Sequence, residues 1–334
     1  MTIRFAVIDI NHGHIYGQMD ALLGAGAICV GFHAAEDNLA APFAAAYSSV
    51  PRVASREALL ADPTVQLIVT SGINANRAPL GIQAMRAGKD FMTDKPGVTS
   101  LAQLEEVRRV QAETGRIYSI LYSEHFTVRS VVKAGELLHA GAIGRLVNSV
   151  GLGPHRLNRK SRPSWFFDRA QYGGILTDIA SHQVEQFLFF TGADDAEIAS
   201  ACVANRANPG DPGLQDFGEM LLRTRDATGY IRVDWFTPDG LPTWGDGRIV
   251  LIGTEGTIEL RKYVDIAGEN GIDHLFLVGR QGVQRIDCTH VELPYGRQLV
   301  HDILNRTETA MPQARCFKAM EIALTAQAMA EAAQ

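Results

Sequence analysis

Residues 4–18 read RFAVIDINHGHIYGQ, and the reading of this stretch decides the fold. The run from Phe5 to Ile8 is apolar without alternation, the pattern of a strand covered by helices on both faces. From Ile15 the apolar residues take helical spacing. A strand that enters a helix through a tight turn is the first unit of a dinucleotide-binding domain, whose turn is usually G-x-G-x-x-G. Here it is Asp9-Ile10-Asn11-His12-Gly13-His14. Asp9 and Asn11 stand where the first two glycines are expected, and both residue types tolerate unusual backbone angles.

The same rhythm continues outward. Ile3–Asp9, Ala27–Phe32, Gln66–Thr70, Phe91–Thr93 and Ile117–Leu121 read as strands, with helical patterns between them. Gly88 and Gly115 follow helical patterns at the position of a C-terminal cap. Alternating strand and helix gives an α/β doubly wound parallel sheet. Ligands of such sheets lie beyond the carboxyl ends of the strands. The candidate cofactor contacts are therefore Ile10, Asn11, His12, Gly13, His14, His33, Ser71, Asn74 and Asp94.

After Tyr122 the pattern changes. A helix at Val128–His139 precedes a strand at Gly144–Val150, and Gly173–Thr191 reads as one long helix. Strands of period two follow, then two closing helices from about Gln298 and Arg315. This is an α+β domain with a mostly antiparallel sheet. The expected division is residues 1–122 and 123–334, the final helices packing back on the first domain.

The 334 residues carry a net charge of −6, which disfavours nucleic acid or an anionic membrane as partner. No apolar run is long enough to span a bilayer. Met1 leads almost directly into strand residues with no secretory pattern, so the expected location is the cytoplasm. Cys29, Cys202, Cys288 and Cys316 show no C-x-x-C spacing, in keeping with reduced thiols.

Two motifs bear on chemistry. In FMTDKPG, Pro96 restricts Lys95 at a sharp exit from the sheet, where an ammonium can polarise a hydroxyl. In YGGILTDIASHQVEQFLFF, Asp178 and His182 are four residues apart, on one face of a helix. Histidine suits proton exchange with an alcohol, and a carboxylate can orient it. Taken singly, each motif also reads as ordinary structure: a surface lysine in a turn, or a histidine satisfied by its neighbour.

GPHRLNRKSRPSWFFDRAQYGG concentrates Arg156, Arg159, Lys160 and Arg162 before the second motif. An arginine facing the site would suit an acidic substituent on the substrate. His155, Arg156, Trp165 and Tyr172 are the candidate substrate contacts, and DWFTPDGLPTWGDGR offers Trp235 or Trp244 to a pocket or to a subunit contact. His12 and His14 form an H-x-H of zinc-compatible spacing, with Asp9 the nearest third ligand. A closed site needs more ligands than these, so no metal is expected.

The altered strand–turn entrance, D-K-P after a later strand, and G-G-x-x-x-D-x-x-x-H in the second domain occur in order. LLADPTVQLIVTSG, IQAMRAGKDFMTDKPG and AGAIGRLVNSV accompany them. Together they resemble the glucose–fructose oxidoreductase, inositol dehydrogenase and rhizopine-catabolism oxidoreductase family over nearly the whole chain. The resemblance implies a Rossmann domain, a second domain with a large open sheet, NAD or NADP as cofactor, and a homo-oligomer joined through that sheet. It implies an enzyme, a dehydrogenase acting on a secondary alcohol of a sugar, cyclitol or sugar acid. Lys95, Asp178 and His182 match the family's catalytic positions. Lys95 would hold the hydroxyl, His182 accept its proton and Asp178 orient substrate or base.

The sequence departs from the family in the cofactor half. Besides the missing glycines, the acid expected after the second strand falls on His33 or Ala34, with Glu36 and Asp37 just beyond. No arginine follows to grip a 2′-phosphate. Arg77 stands where the family often has histidine, and His125 where it often has arginine or asparagine. The alternative readings are a lyase, hydratase or hydrolase using Lys95 and His182 as acid and base, and a ligand sensor without turnover.

Overall fold

The first sheet joins β1 (Arg4–Ile8), β2 (Ile28–His33), β3 (Leu67–Thr70), β4 (Asp90–Asp94) and β5 (Tyr118–Leu121) in the computed structural model, which describes residues 2–333. All neighbours are parallel, in the order β2-β1-β3-β4-β5. Every residue of β3 and β4 is buried, as two-sided coverage by helices requires. Ser55 and Ser100 cap two of those helices through hydrogen bonds from Ala58 and Gln103 N–H. Gly115 ends a helix at φ 63°, a left-handed backbone that glycine adopts without steric cost. This unit runs to Leu121 and also takes in Ala170–Gly173 and Pro294–Phe317. Its late helix Tyr295–Asn305 sits so close to helix Ile15–Gly24 that a Cβ on Gly296 would strike the Ala21 carbonyl.

The second unit comprises Tyr122–Arg169, Gly174–Leu293 and the segment from Lys318 onward. Its strands are β6 (Leu146–Pro154), β7 (Glu197–Ala204), β8 (Phe217–Arg223), β9 (Thr228–Asp234), β10 (Arg248–Gly253), β11 (Thr257–Arg261), β12 (His274–Gly279) and β13 (Gly282–Ile286). They pair in the order β13-β12-β11-β10-β6-β9-β8-β7. The pairs are antiparallel except β6 with β9. Residues of β9, β10 and β11 alternate in burial, so one sheet face is covered. Part of that cover is helix Arg129–His139, whose Val131, Ala134 and Leu138 share a core with Ile249, Leu251, Ile258 and Leu260.

Two local expectations change. The strand expected at Gly144–Val150 is β6, which begins later and runs on to Pro154. Gly144 has φ 71°, outside the strand region. Gly151 and Gly153 extend β6 beneath Gln183, where side chains would crowd it: a Cβ on either would lie 3.1 or 2.7 Å from that glutamine. The helix expected from Gly173 begins later too. Gly173 and Gly174 have φ of 95° and 87°, which exclude them from a right-handed helix. A π turn at Leu176–Ala180 then leads into helix Ser181–Thr191.

All four cysteines are free thiols. Among the described residues, no helix is long and apolar enough to cross a membrane.

Candidate active site

The β1–α turn closes without its glycines because Asp9 itself takes the left-handed conformation, at φ 60°. Its N–H donates to the His33 carbonyl (3.0 Å), and its carbonyl accepts from Ser71 N–H (3.1 Å). Gly72 lies against it, where a Cβ would come within 2.9 Å of the Asp9 Cβ. Burial raises the Asp9 carboxyl above its ordinary range, against the pull of Arg56 and His33.

The turn delivers His12 and His14 to Asp94 at the end of β4. His14 Nδ1 lies 2.9 Å from Asp94 Oδ1 and His12 Nδ1 lies 3.6 Å from Oδ2. The two imidazoles meet edge to face with centroids 4.2 Å apart. Burial opposes the charge on Asp94, but His14 and Arg77 outweigh it and hold the carboxyl well below the usual range. His12 is driven the other way: burial and then His14 hold its imidazole well below the ordinary histidine value.

Arg77 is fully buried on helix Asn74–Arg86. Its guanidinium donates to the carbonyls of Gly72 (2.8 Å), Asp94 (3.2 Å), Lys95 and Pro96 (3.2 Å) and to Asp94 Oδ2 (3.3 Å). One planar side chain thus pins the whole exit of β4, including the cis Lys95–Pro96 peptide. Lys95 is buried there. Asn74 points elsewhere and donates to the Tyr172 carbonyl (2.9 Å). Ile10 is a core residue.

Beyond β2, Asn11 donates to Glu36 (3.1 Å), and His33 Nδ1 lies 3.0 Å from the Val53 carbonyl. An arginine does reach this end, from further along the chain than the sequence reading searched. Arg52 donates to the Ala34 carbonyl (2.8 Å) and pairs with Asp37 (2.6 Å).

This edge fits a nicotinamide dinucleotide, though not through the usual cradle of glycine amides. The N–H of His12 is spent on the Ser71 carbonyl (2.8 Å) and that of His14 on His12 Nδ1 (3.2 Å). What the edge offers instead is the Ser71 hydroxyl, buried at the end of β3 with no hydrogen-bond partner among the described residues. It also offers the half-exposed His14 ring at a helix N-terminus and clear space around Gly13.

In the second unit, His182 is buried, with Tyr122 edge-on at 6.2 Å. Asp178 is also buried, in the π turn, and feels the positive charge of Arg162. Sequence reasoning passed over Glu124, whose charge His182 feels. Glu124 accepts from Gln183 Nε2 (3.0 Å) and from Lys262 Nζ (2.5 Å), and Lys262 also donates to Gln186 (3.2 Å). His155 Nε2 stands 3.8 Å from Glu124 Oε1. Burial opposes the Glu124 charge, but Lys262, His182 and His155 outweigh it and bring the carboxyl down to about 2. Glu124 lies in the short YSEHF stretch noted only for His125, which itself pairs with Glu185 (2.9 Å). Lys262 follows β11 in no recognisable motif.

The basic loop divides. Arg159 pairs with Asp211 (2.7 Å) and Lys160 is exposed. Arg156 is tied to the carbonyls of Pro238 (2.8 Å) and Leu241 (2.5 Å). Arg162 stacks on Phe166 and Trp235, 4.4 and 5.0 Å from their ring centres. Trp165 is buried against Phe166. His155 lies between Trp235 and Trp244, with centroids at 5.3 and 4.6 Å.

A parallel sheet that presents Asp-Lys-Pro at its carboxyl edge, joined in one chain to a large, mostly antiparallel sheet, defines a class of two-unit oxidoreductase. The chain belongs to the GFO/IDH/MocA family: residues 24–122 match its oxidoreductase, NAD-binding Rossmann-fold model and residues 131–259 its C-terminal domain. The first match begins beyond the Asp9–His14 turn. A proposed oxidoreductase from Erwinia carotovora atroseptica is 44% identical, with a TM-score of 0.96 over 98% of both chains. Levoglucosan dehydrogenase, solved with NADH and levoglucosan, shares the fold at a TM-score of 0.81, with 16% identity over 100% of this chain and 98% of that one. The D-xylose dehydrogenase of Paenarthrobacter nicotinovorans is 27% identical over 131 residues, 38% of this chain and 34% of that enzyme. The chain thus matches only about a third of that curated relative's length.

Proposed function

We propose that the protein transfers a hydride between NAD or NADP and a secondary alcohol of a sugar, cyclitol or sugar acid. The observation that carries this reading is Lys95, a buried ammonium at the carboxyl end of β4 in the family's Asp-Lys-Pro motif. The kinship with a D-xylose dehydrogenase supports a polyhydroxylated substrate.

NAD or NADP, held by the residues of the first unit, would supply the hydride acceptor. Contacts to the dinucleotide fall to Ser71, His14 and the turn around Gly13, while Arg77 holds Asp94 and the Lys95 backbone in place. The Lys95 ammonium holds the reacting hydroxyl and stabilises negative charge as it develops on the oxygen. His182 takes the hydroxyl proton on its imidazole, and Asp178 orients base or substrate. His155 with its flanking indoles suits the apolar face of a sugar ring. The Arg162 guanidinium suits a carboxylate substituent. Arg156 serves to hold the Pro238–Leu241 loop, and Trp165 packs against Phe166.

The test is calorimetric titration of nucleotide-free protein with NAD and NADP in both redox states. Assays of aldoses, cyclitols and sugar acids by nicotinamide absorbance follow. Binding of one cofactor pair and turnover of one alcohol class are expected. Failure of every form to bind overturns the redox reading and favours acid–base chemistry at Lys95 and His182.

A further inference from the structure

We propose that His12, His14 and Asp94 form a three-ligand site for a divalent transition-metal ion of the zinc class. This inference goes beyond the hydride-transfer reading and does not depend on it.

One ring nitrogen from each histidine and one carboxylate oxygen of Asp94 lie within 4.8 Å of one another. Zinc holds nitrogen and oxygen ligands at about 2.0–2.2 Å, which puts neighbouring tetrahedral ligands about 3.5 Å apart. His14 Nδ1 lies 2.9 Å from Asp94 Oδ1 and His12 Nδ1 lies 3.6 Å from Oδ2, so the three groups already face one another and a bound ion would draw them together. Two imidazoles and one carboxylate suit zinc, cobalt or iron(II), whereas magnesium prefers an all-oxygen shell.

The surroundings support the same assignment. Arg77 donates to Asp94 Oδ2 and to four backbone carbonyls. Its charge is largely met, and it fixes the carboxylate as an outer-shell partner does. Lys95 is the opposing feature, because its charge also reaches His12. An anionic ligand that accompanies the ion would offset this charge and tighten binding. Gly13, between the two histidines, is exposed with nothing within 4 Å of a Cβ, so ligands from solvent can complete the shell.

The experiment titrates Zn²⁺, Co²⁺ and Mg²⁺ into the full chain after chelator treatment, by calorimetry and by cobalt d–d absorption. Expected are one Zn²⁺ or Co²⁺ per chain, a visible cobalt spectrum and no Mg²⁺ binding. His14→Ala, at a half-exposed ring, should weaken Zn²⁺ at least tenfold, as should Asp94→Asn. His290→Ala, an exposed histidine outside the site, should change nothing. Absence of binding, equal affinity in His14→Ala, or equal loss in His290→Ala overturns the proposal. If Asp94→Asn fails to fold, His14→Ala alone decides. Nucleotide binding is measured separately on metal-free protein, so failure of the redox reading is distinguishable from failure of this one.

Discussion

Glu124 and Lys262 form an ion pair of 2.5 Å whose side chains are 3% and 0% exposed. Burying two charges is expensive, and such a pair is tolerated only when each partner satisfies the other and further hydrogen bonds complete the set. Gln183 and Gln186 supply two of those bonds, and His155 Nε2 faces the remaining Glu124 oxygen at 3.8 Å. Removing one partner should therefore cost far more than removing both. Lys262→Met is expected to destabilise by about 3–5 kcal/mol, and the double change Glu124→Gln with Lys262→Met to recover most of it. Urea denaturation midpoints of the parent protein and the two variants provide the check.

Acid should act on this pair in a defined order. The Glu124 carboxyl is depressed to about 2 in the folded protein, against about 4.3 unfolded. Its contribution is complete above the unfolded value and declines as pH falls from there through 2. The steepness of acid unfolding below about pH 4.3 should shrink in the neutral double variant, as read by melting temperature against pH.

His12 acts at higher pH. Its folded value lies well below the ordinary one, so between the two the unfolded chain binds the extra proton. Stability is therefore complete above about pH 6.5 and falls as the solution is acidified below that point. His12→Gln should flatten this part of the profile. An unchanged slope in thermal melts across that window would show that another group is responsible.

Lys95→Met and His182→Gln test the proposed chemistry without touching the sheet framework. Each is expected to lower kcat by about 10²–10⁴ at a melting temperature close to that of the parent protein. Turnover at the parental rate in both variants would remove these residues from the mechanism.

Gly296→Ala probes packing in the first unit. The new Cβ would meet the Ala21 carbonyl, a backbone atom that cannot rotate aside. Overpacking of this kind costs about 1–3 kcal/mol, and the urea midpoint should fall accordingly.

The sequence by itself determined what short-range patterning controls. Continuous apolar runs marked β1 and β3 as two-sided strands, Gly88 and Gly115 marked helix ends, and Lys95 was singled out by the proline after it. Each of these depends on residues within one element or turn. Contacts across distant elements were not legible. The sequence offers the His12–His14 pair Asp9 as its nearest carboxylate, but the carboxylate that meets His14 is that of Asp94, 80 residues away. Glu124 and Lys262 are 138 residues apart, and neither carries a motif. Arg52 reaches the end of β2 only because residues 32 and 52 pair across a short bridge. Side chains this far apart acquire partners only when the sheets set their register. Local preferences drew the elements of this protein, and the folded chain alone decided which charges meet.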